Sequence, residues 1–317
     1  MVIANVMSTF ERIRIRGKLK ERLTKLILYI VLFDLAFVFL FPFLYIIITS
    51  LKTPADLNDF LVNWVPRSIK LRNYLLAYQE LDFFYYLKNS MLLTTVGTLG
   101  HLISCSFIGY GFARYNFPFK NVLFALVILA FIIPIQTIIV PTYMVFANLD
   151  WLNSYLPILV PTFFGLGLKG ALFVFIFRQF YLGIPRELEN AAKVDGCGFL
   201  RTYWLIVFPM ARSVFLVVLV LSLVWHWNDF YEPAIYASLP DMSLLPARIN
   251  LIVAKINQPI TAMEQILALD STDMEDHPNN AVLMAATFMV ILPILVCFAF
   301  LQRKFMEGIE RTGITGE

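Results

Sequence analysis

Long apolar runs separated by shorter polar segments dominate the pattern of this chain. A helix needs about 20 apolar residues to cross a hydrocarbon core ~30 Å thick. Runs of about that length occupy residues 27–50, 89–112, 121–146, 157–183, 213–231 and 281–301. Lipid offers the backbone no hydrogen-bond partners, so these runs predict six membrane-spanning helices and an all-α integral membrane protein.

Composition supports this interpretation. The 317 residues are 59% hydrophobic and only 15% charged, with a mean hydropathy of +0.74. Soluble domains are about 45–50% apolar and roughly 25% charged. The chain therefore has too little polar surface for a water-soluble enzyme of its length.

The distribution of Lys and Arg predicts the orientation in the membrane. Basic residues concentrate in the N-terminal arm (1–26) and in segments 113–120, 184–212 and 303–317. Segment 147–156 has no Lys or Arg, and segment 232–280 has seven acidic residues against Arg248 and Lys255. The positive-inside rule then places both termini in the cytoplasm. The basic arm is interpreted as a topology determinant beside anionic lipid headgroups, not as a nucleic-acid site.

Motifs for catalysis or cofactor binding are missing from the sequence. It has no P-loop pattern, and its three His and three Cys show no metal-ligand spacing, so no catalytic residue, metal or cofactor is predicted. One G-x-G-x-x-G pattern (Gly165, Gly167, Gly170) lies inside an apolar run without strands and is interpreted as close helix packing. Uphill transport would need an ion gradient or another subunit.

The polar segment 184–210 interrupts the apolar pattern between the fourth and fifth spans. Pro185 suits a first helical turn, and Glu187 and Glu189 favour the helix N-terminus. Gly196 ends the predicted helix, and a second amphipathic piece follows it. A short helix-turn-helix held between two membrane helices is suited to transmitting motion from a cytoplasmic partner into the bundle.

This segment resembles the EAA loop of binding-protein-dependent ATP-binding-cassette importer permeases, with the approximate pattern E-A-A-x-x-D-G and a later hydrophobic-Pro. Ala191, Ala192, Asp195 and Gly196 match the pattern, whereas Asn190 replaces the usual Glu and removes a charge. The chain is most similar to maltose-type carbohydrate permeases. Further matches are Ser50–Lys52, Asn73–Tyr74, Asn89–Ser90, Tyr110–Arg114, Pro134 with Gln136, and Trp227–Phe230.

The resemblance implies the type-1 transmembrane fold with a cytoplasmic coupling helix. The implied parts are an arm (1–26), a first helix and outer loop (27–88), a core domain (89–302) with coupling loop 184–210, and a tail (303–317). The implied partners are a separate ATPase subunit present as a homodimer or pair, a second homologous permease, an extracellular binding protein and a sugar. The implied ATPase-coupling residues are Glu187, Glu189, Asn190, Ala191, Ala192, Asp195 and Gly196.

Polar residues inside the spans are candidates for the translocation pathway, because such groups are costly in lipid. The candidates are Gln136, Lys169 and Asn228. Asp34 is weighed equally between a structural and a transport role, and His101 is interpreted as a packing residue. The alternative function is an ion-coupled secondary transporter. A secondary transporter is disfavoured because Asp34 is the single acidic residue well inside a span. An intramembrane enzyme is disfavoured because the sequence offers no recognisable catalytic pair.

Overall fold

The computed structural model describes residues 2–59, 61–62, 64–258 and 278–314, with side chains given from residue 21 to 305. The described part of the chain is helical and contains no strand. The helices are α1 (Val2–Ser50), α2 (Pro54–Asn58), α3 (Arg72–Leu81), α4 (Phe83–Arg114), α5 (Lys120–Ile132), α6 (Ile135–Asn148), α7 (Leu156–Thr162), α8 (Gly170–Gly183), α9 (Arg186–Val194), α10 (Phe199–Met210), α11 (Arg212–Asn228), α12 (Tyr231–Tyr236), α13 (Leu245–Asn257) and α14 (Asn280–Ile314).

The predicted spans differ in continuity. Within the described residues, three helices are long and apolar enough to cross a membrane unbroken: Glu21–Ser50, Phe83–Arg114 and Asn280–Phe305. The pairs α5–α6 and α10–α11 also qualify when each is counted as one bent span, with bends of 105° and 79°. The all-α membrane fold is thus confirmed, and the predicted runs 121–146 and 157–183 are not single unbroken helices.

The bend in the third span has a local cause. Residue Ile133 adopts an extended conformation (φ −65°, ψ 123°) between α5 and α6, immediately before Pro134. Proline disfavours the α conformation in the residue before it, and it has no N–H to continue the helix. The predicted run 121–146 is therefore two helices.

The fourth predicted span, 157–183, is also broken. Helix α7 ends at Thr162, α8 begins at Gly170, and the connecting residues Gly165, Gly167 and Lys169 have positive φ angles of 70°, 77° and 61°. The three glycines of the G-x-G-x-x-G pattern thus form and border a turn within the run. Gly165 and Gly167 supply left-handed backbone that glycine adopts readily. The predicted close packing is also present, because a Cβ at Gly165 would lie 2.6 Å from Ile108 Cδ1 of α4.

Side chains of α4 bind the backbone carbonyls freed by this break. Ser104 Oγ donates to the Thr162 carbonyl at 2.6 Å, and His101 Nε2 lies 2.9 Å from the Leu166 carbonyl oxygen. Irregular backbone at membrane depth is stable only where protein groups satisfy it. Helix α4 therefore makes the break possible.

Helix α4 forms the centre of the main hydrophobic core. Its residues Tyr110 and Ala113 pack with Phe173 and Phe177 of α8 and with the α10–α11 segment, including Val207. Helix α1 contacts α14, but its apolar side chains from Leu23 to Tyr45 are largely exposed. Ile184, two residues before α9, belongs to this core, so the core reaches the start of α9.

Candidate functional site

The candidate site is α9, the helix that the sequence predicts between the fourth and fifth spans. Glu187 and Glu189 lie in its first turn, where negative charge complements the helix dipole, and Lys193 lies in the last. The helix ends at Val194, and Gly196 follows with φ 78°. This left-handed conformation explains why glycine stands there.

The inner side of α9 is fastened to the end of α4 by Glu189. Arg114 Nε lies 2.6 Å from Glu189 Oε1, and the two side chains are 5% and 7% exposed. The N–H is not aimed at this oxygen, so the contact is an ion pair and not a linear hydrogen bond. The Tyr110 hydroxyl donates to Glu189 Oε2 at 3.0 Å.

Arg114 also secures the entry to α9. Its Nη2 donates to the Ile184 carbonyl at 2.5 Å, two residues before the helix begins. The neighbouring Tyr115 is affected by the same network, because burial and then the Glu189 carboxylate raise the pKa of its phenol above the usual range. The end of α4 and the start of α9 are therefore joined as one packed unit by the ion pair and two hydrogen bonds.

An aromatic cluster supports this unit from α10. The Phe107 and Tyr203 rings stack with centroids 4.4 Å apart, and Tyr110 packs on Phe199 at 5.6 Å. Ser106 hydrogen-bonds the hydroxyl groups of Tyr181 and Tyr203.

The predicted coupling residues divide between two sides of the α9 segment. Glu189 and Ala192 are buried against the bundle. The exposed members are Glu187, Asn190, Ala191, Asp195 and Gly196. Two apolar side chains lie beside them in the open, Leu188 at 41% and Val194 at 87% exposure. We call these seven exposed residues the α9 surface.

Among the described residues, no hydrogen bond or ion pair joins two of the predicted pathway residues. Gln136 is exposed near the start of α6, and Asn228 donates to the Val224 carbonyl of its own helix at 2.8 Å. Lys169 is exposed, with Nζ 5.8 Å from the Phe131 ring centroid. Asp34 is exposed on α1.

His101 has the packing environment expected of it. The ring is fully buried, and because a carbonyl only accepts, it donates from Nε2 to Leu166. Its Nδ1 therefore accepts from His226 Nε2 at 3.2 Å, so α4 and α11 are joined. The described residues contain no group of three His, Cys, Asp or Glu able to hold a metal ion.

Two features were missed by the sequence analysis. In the sequence, Arg114 and Tyr110 stand out only as part of a family motif. A basic residue at the end of a span is nevertheless a reasonable partner for an acidic residue in the next cytoplasmic helix. A cavity of about 330 Å³ near Thr142, Glu232 and Tyr236 gave no linear signal, since its walls come from distant segments.

Comparison with known proteins identifies the family. Residues 106–310 match the family described as "Binding-protein-dependent transport system inner membrane component". The chain belongs to this family. It is the membrane-spanning permease subunit of an ATP-binding-cassette importer, and in such importers ATP is hydrolysed by a separate subunit. The match gives no support to the ion-coupled alternative.

Several curated relatives cover most of the permease. It is 26% identical over 277 residues to the arabinooligosaccharides transport system permease protein AraQ of Halalkalibacterium halodurans, covering 86% of this chain and 90% of the relative. It is 26% identical over 221 residues to the sn-glycerol-3-phosphate transport system permease protein UgpE of Yersinia enterocolitica, covering 70% of each.

A solved structure confirms the type-1 fold. The permease matches the crystal structure of a bacterial ABC transporter involved in the import of the acidic polysaccharide alginate, with a TM-score of 0.72 and 19% identity. The match covers 90% of this chain and 98% of that chain. At this identity the likeness shows the fold alone.

Proposed function

We propose that this permease imports a sugar and forms half of the translocation pathway together with a second, homologous permease. Importers of its family combine such membrane subunits with an ATPase and a solute-binding protein. Support for a carbohydrate comes from the arabinooligosaccharide relative, and the maltose-type motifs agree with it.

The α9 surface is the proposed docking site for the ATPase subunit, present as a homodimer or a pair. The observation that carries this proposal is the buried Glu189–Arg114 ion pair. It fixes α9 to the central helix α4 while the opposite side of α9 stays exposed. A push on the exposed side is therefore transmitted directly into the bundle.

Asn190, which replaces the usual Glu, is compatible with the proposed coupling through α9. Its side chain is exposed, and the charge that holds α9 to the bundle belongs to Glu189 instead. The loss of Glu at position 190 therefore changes the docking surface, and the fastening of the helix is preserved.

The proposed orientation places α9 and both termini in the cytoplasm, with the spans of core domain 89–302 in the membrane. It rests on the positive-inside distribution of Lys and Arg. The acidic run Asp270–Asp276, on the proposed outer side, lies outside the described residues.

Sugar import is tested with the complete importer in proteoliposomes, supplied with ATP and its binding protein. Radiolabelled arabinotriose, maltotriose and sn-glycerol 3-phosphate are offered separately. We expect ATP-dependent uptake of a neutral sugar. Uptake of none of the sugars by an importer with intact ATPase activity would overturn the carbohydrate assignment.

Docking is tested with a matched pair of substitutions. Asn190→Trp places a bulky ring on the α9 surface, whereas Asn121→Trp places the same ring on an exposed position at the start of α5. We expect Asn190→Trp to lower ATPase co-purification and uptake about tenfold, equivalent to about 1.4 kcal/mol of docking free energy. Equal behaviour of the two variants would contradict the docking assignment.

A further inference from the structure

Three basic residues from different helices lie together where the third predicted span begins. Lys120 is the first residue of α5, Arg178 belongs to α8, and Arg186 is the first residue of α9. We call these three residues the basic cluster. In the proposed orientation, the cluster lies at the cytoplasmic surface of the membrane, and none of its members belongs to the α9 surface.

Packing between α5 and α8 brings the first two members together. The Arg178 guanidinium lies over the Phe124 ring, with Cζ 3.9 Å from the ring centroid. The Phe124 ring also stacks on Phe175 of α8 at 6.4 Å. Phe124 is one turn beyond Lys120, on the same face of α5. Arg178 is therefore held beside the side of α5 that carries Lys120.

The third member reaches the same place through the end of α4. Lys120 Nζ donates to the Tyr115 carbonyl at 2.8 Å. Tyr115 follows Arg114, which binds the Ile184 carbonyl. Arg186 begins α9 two residues further along the chain. Lys120 consequently lies within electrostatic range of both arginines of the cluster.

The positive charge of the cluster is not neutralised within the described part of the chain. None of the ion pairs there includes Lys120, Arg178 or Arg186. The charges that act on Lys120 among the described residues are both positive. The nearby carboxylate of Glu189 is paired with Arg114 instead. Because like charges held close together repel, the arrangement favours a bound anion.

Exposed apolar side chains lie next to the cluster at the start of α5. Phe119 is 78% exposed, and Val122 and Leu123 also lie in the open. A groove of about 340 Å³ has Lys120, Phe117, Phe119 and Val122 among its lining residues. Cations beside exposed apolar groups at the end of a span suit a phospholipid, in which a phosphate and acyl chains are adjacent.

We propose that the basic cluster binds the headgroup of one anionic phospholipid, whose acyl chains lie along the exposed side of α5. The bound phosphate joins the start of the third span to the start of α9. A carboxylate from another subunit matches the cations alone, whereas a phospholipid matches the cations and the apolar groove together. This inference uses the proposed orientation and is independent of the sugar assignment.

The test is photolabelling of the complete importer in phosphatidylcholine nanodiscs, without nucleotide, sugar or binding protein. The probe is phosphatidylglycerol with a diazirine near the headgroup end of one acyl chain, added at increasing mole fraction, and labelled peptides are mapped by mass spectrometry. We expect saturable label in segments 117–124 and 175–186. Unlabelled phosphatidylglycerol should remove the label, whereas millimolar inorganic phosphate should not. A phosphatidylcholine probe with the same diazirine should give no saturable label.

Substitutions separate a defined headgroup site from general attraction of anionic lipid to basic protein. Arg186→Gln and Lys120→Gln should each raise the mole fraction of probe at half-saturation about fivefold, the change expected for about 1 kcal/mol per cation. Arg186→Lys keeps the charge and should stay within about twofold of the wild type. Arg212→Gln is the matched control, since Arg212 is an exposed arginine at the first position of α11, outside the cluster.

Equal half-saturation in Arg186→Gln and Arg212→Gln, label confined to other segments, or saturable label from the phosphatidylcholine probe would overturn the lipid site. Removal of the label by inorganic phosphate would overturn it in favour of a soluble anion. Should Arg186→Gln fail to assemble, Lys120→Gln and the comparison of the two probes decide. The proposals fail separately: label at the cluster in an importer that takes up no sugar overturns sugar import only, whereas sugar uptake without this label overturns the lipid site only.

Discussion

Glu189 illustrates how one buried residue defines the function of a largely exposed helix. Its neighbours Glu187 and Asn190 point to solvent, while its carboxylate lies against Arg114 and Tyr110. Breaking a buried ion pair from one side leaves the other charge uncompensated, which costs about 3–5 kcal/mol. We infer that this pair fixes α9 in place.

The first prediction concerns this pair. Glu189→Gln should destabilise the permease by about 3–5 kcal/mol, because Arg114 is left buried without its counter-charge. Glu187→Gln, an exposed change in the same turn, should change stability by less than about 0.5 kcal/mol. Thermal unfolding of the detergent-purified permease measures both, and equal unfolding temperatures would contradict the role of the ion pair.

The second prediction concerns the turn after α9. Gly196→Ala should cost about 1 kcal/mol or more, because a side chain is forced into left-handed backbone at φ 78°. Gly198→Ala is the control, since φ at Gly198 is −74° and its substitution meets no neighbour. We expect weaker ATPase co-purification for the first variant only. A matching loss in the control would show that the turn geometry is irrelevant.

At the scale of elements, the broken spans create the internal surfaces of the permease. The bend at Pro134 and the turn at residues 163–169 border the same cavity, through Ile135 on one side and Leu166 on the other. His101 of α4 binds the Leu166 carbonyl, so the helix that satisfies the broken backbone also holds one wall of the cavity.

The third prediction uses the two ends of α8. A Cβ at Gly170 would collide with the Gly165 carbonyl oxygen, so Gly170→Ala should destabilise the permease by about 1–3 kcal/mol. Gly183→Ala, at the other end of the same helix, meets no neighbour within 4 Å and should be neutral or slightly stabilising. Guanidinium or thermal unfolding in detergent distinguishes them. Equal stability of the two variants would show that the close approach at the break is dispensable.

For the whole molecule, the division of labour in the family predicts the behaviour of the isolated permease. Reconstituted alone, it should hydrolyse no ATP and accumulate no sugar in response to a proton or sodium gradient. Adding the ATPase, the second permease and the binding protein should restore ATP-dependent uptake. Proteoliposome flux assays measure both, and gradient-driven accumulation by the isolated chain would contradict a partner-powered mechanism.

Much of the fold was predictable because the lipid solvent imposes simple rules. Apolar length, the need to pair every backbone group and the polar interruption at 184–210 were enough to predict an all-α membrane protein with a short helix between its fourth and fifth spans. The position of the breaks within residues 121–146 and 157–183 was not predicted. Apolar composition reports whether a segment tolerates lipid, and it does not report whether the helix is broken inside the bundle.

The candidate site, like the fold, was predictable only in part. Pattern alone determined that α9 exists and that Glu187, Glu189, Asn190 and Ala191 lie on it, because helix periodicity and end preferences are local properties. Only the tertiary structure decided which of them faces the bundle, since that depends on where Arg114 and Tyr110 arrive from α4. The cavity at Glu232 was likewise decided by packing, because its walls come from segments far apart in the chain.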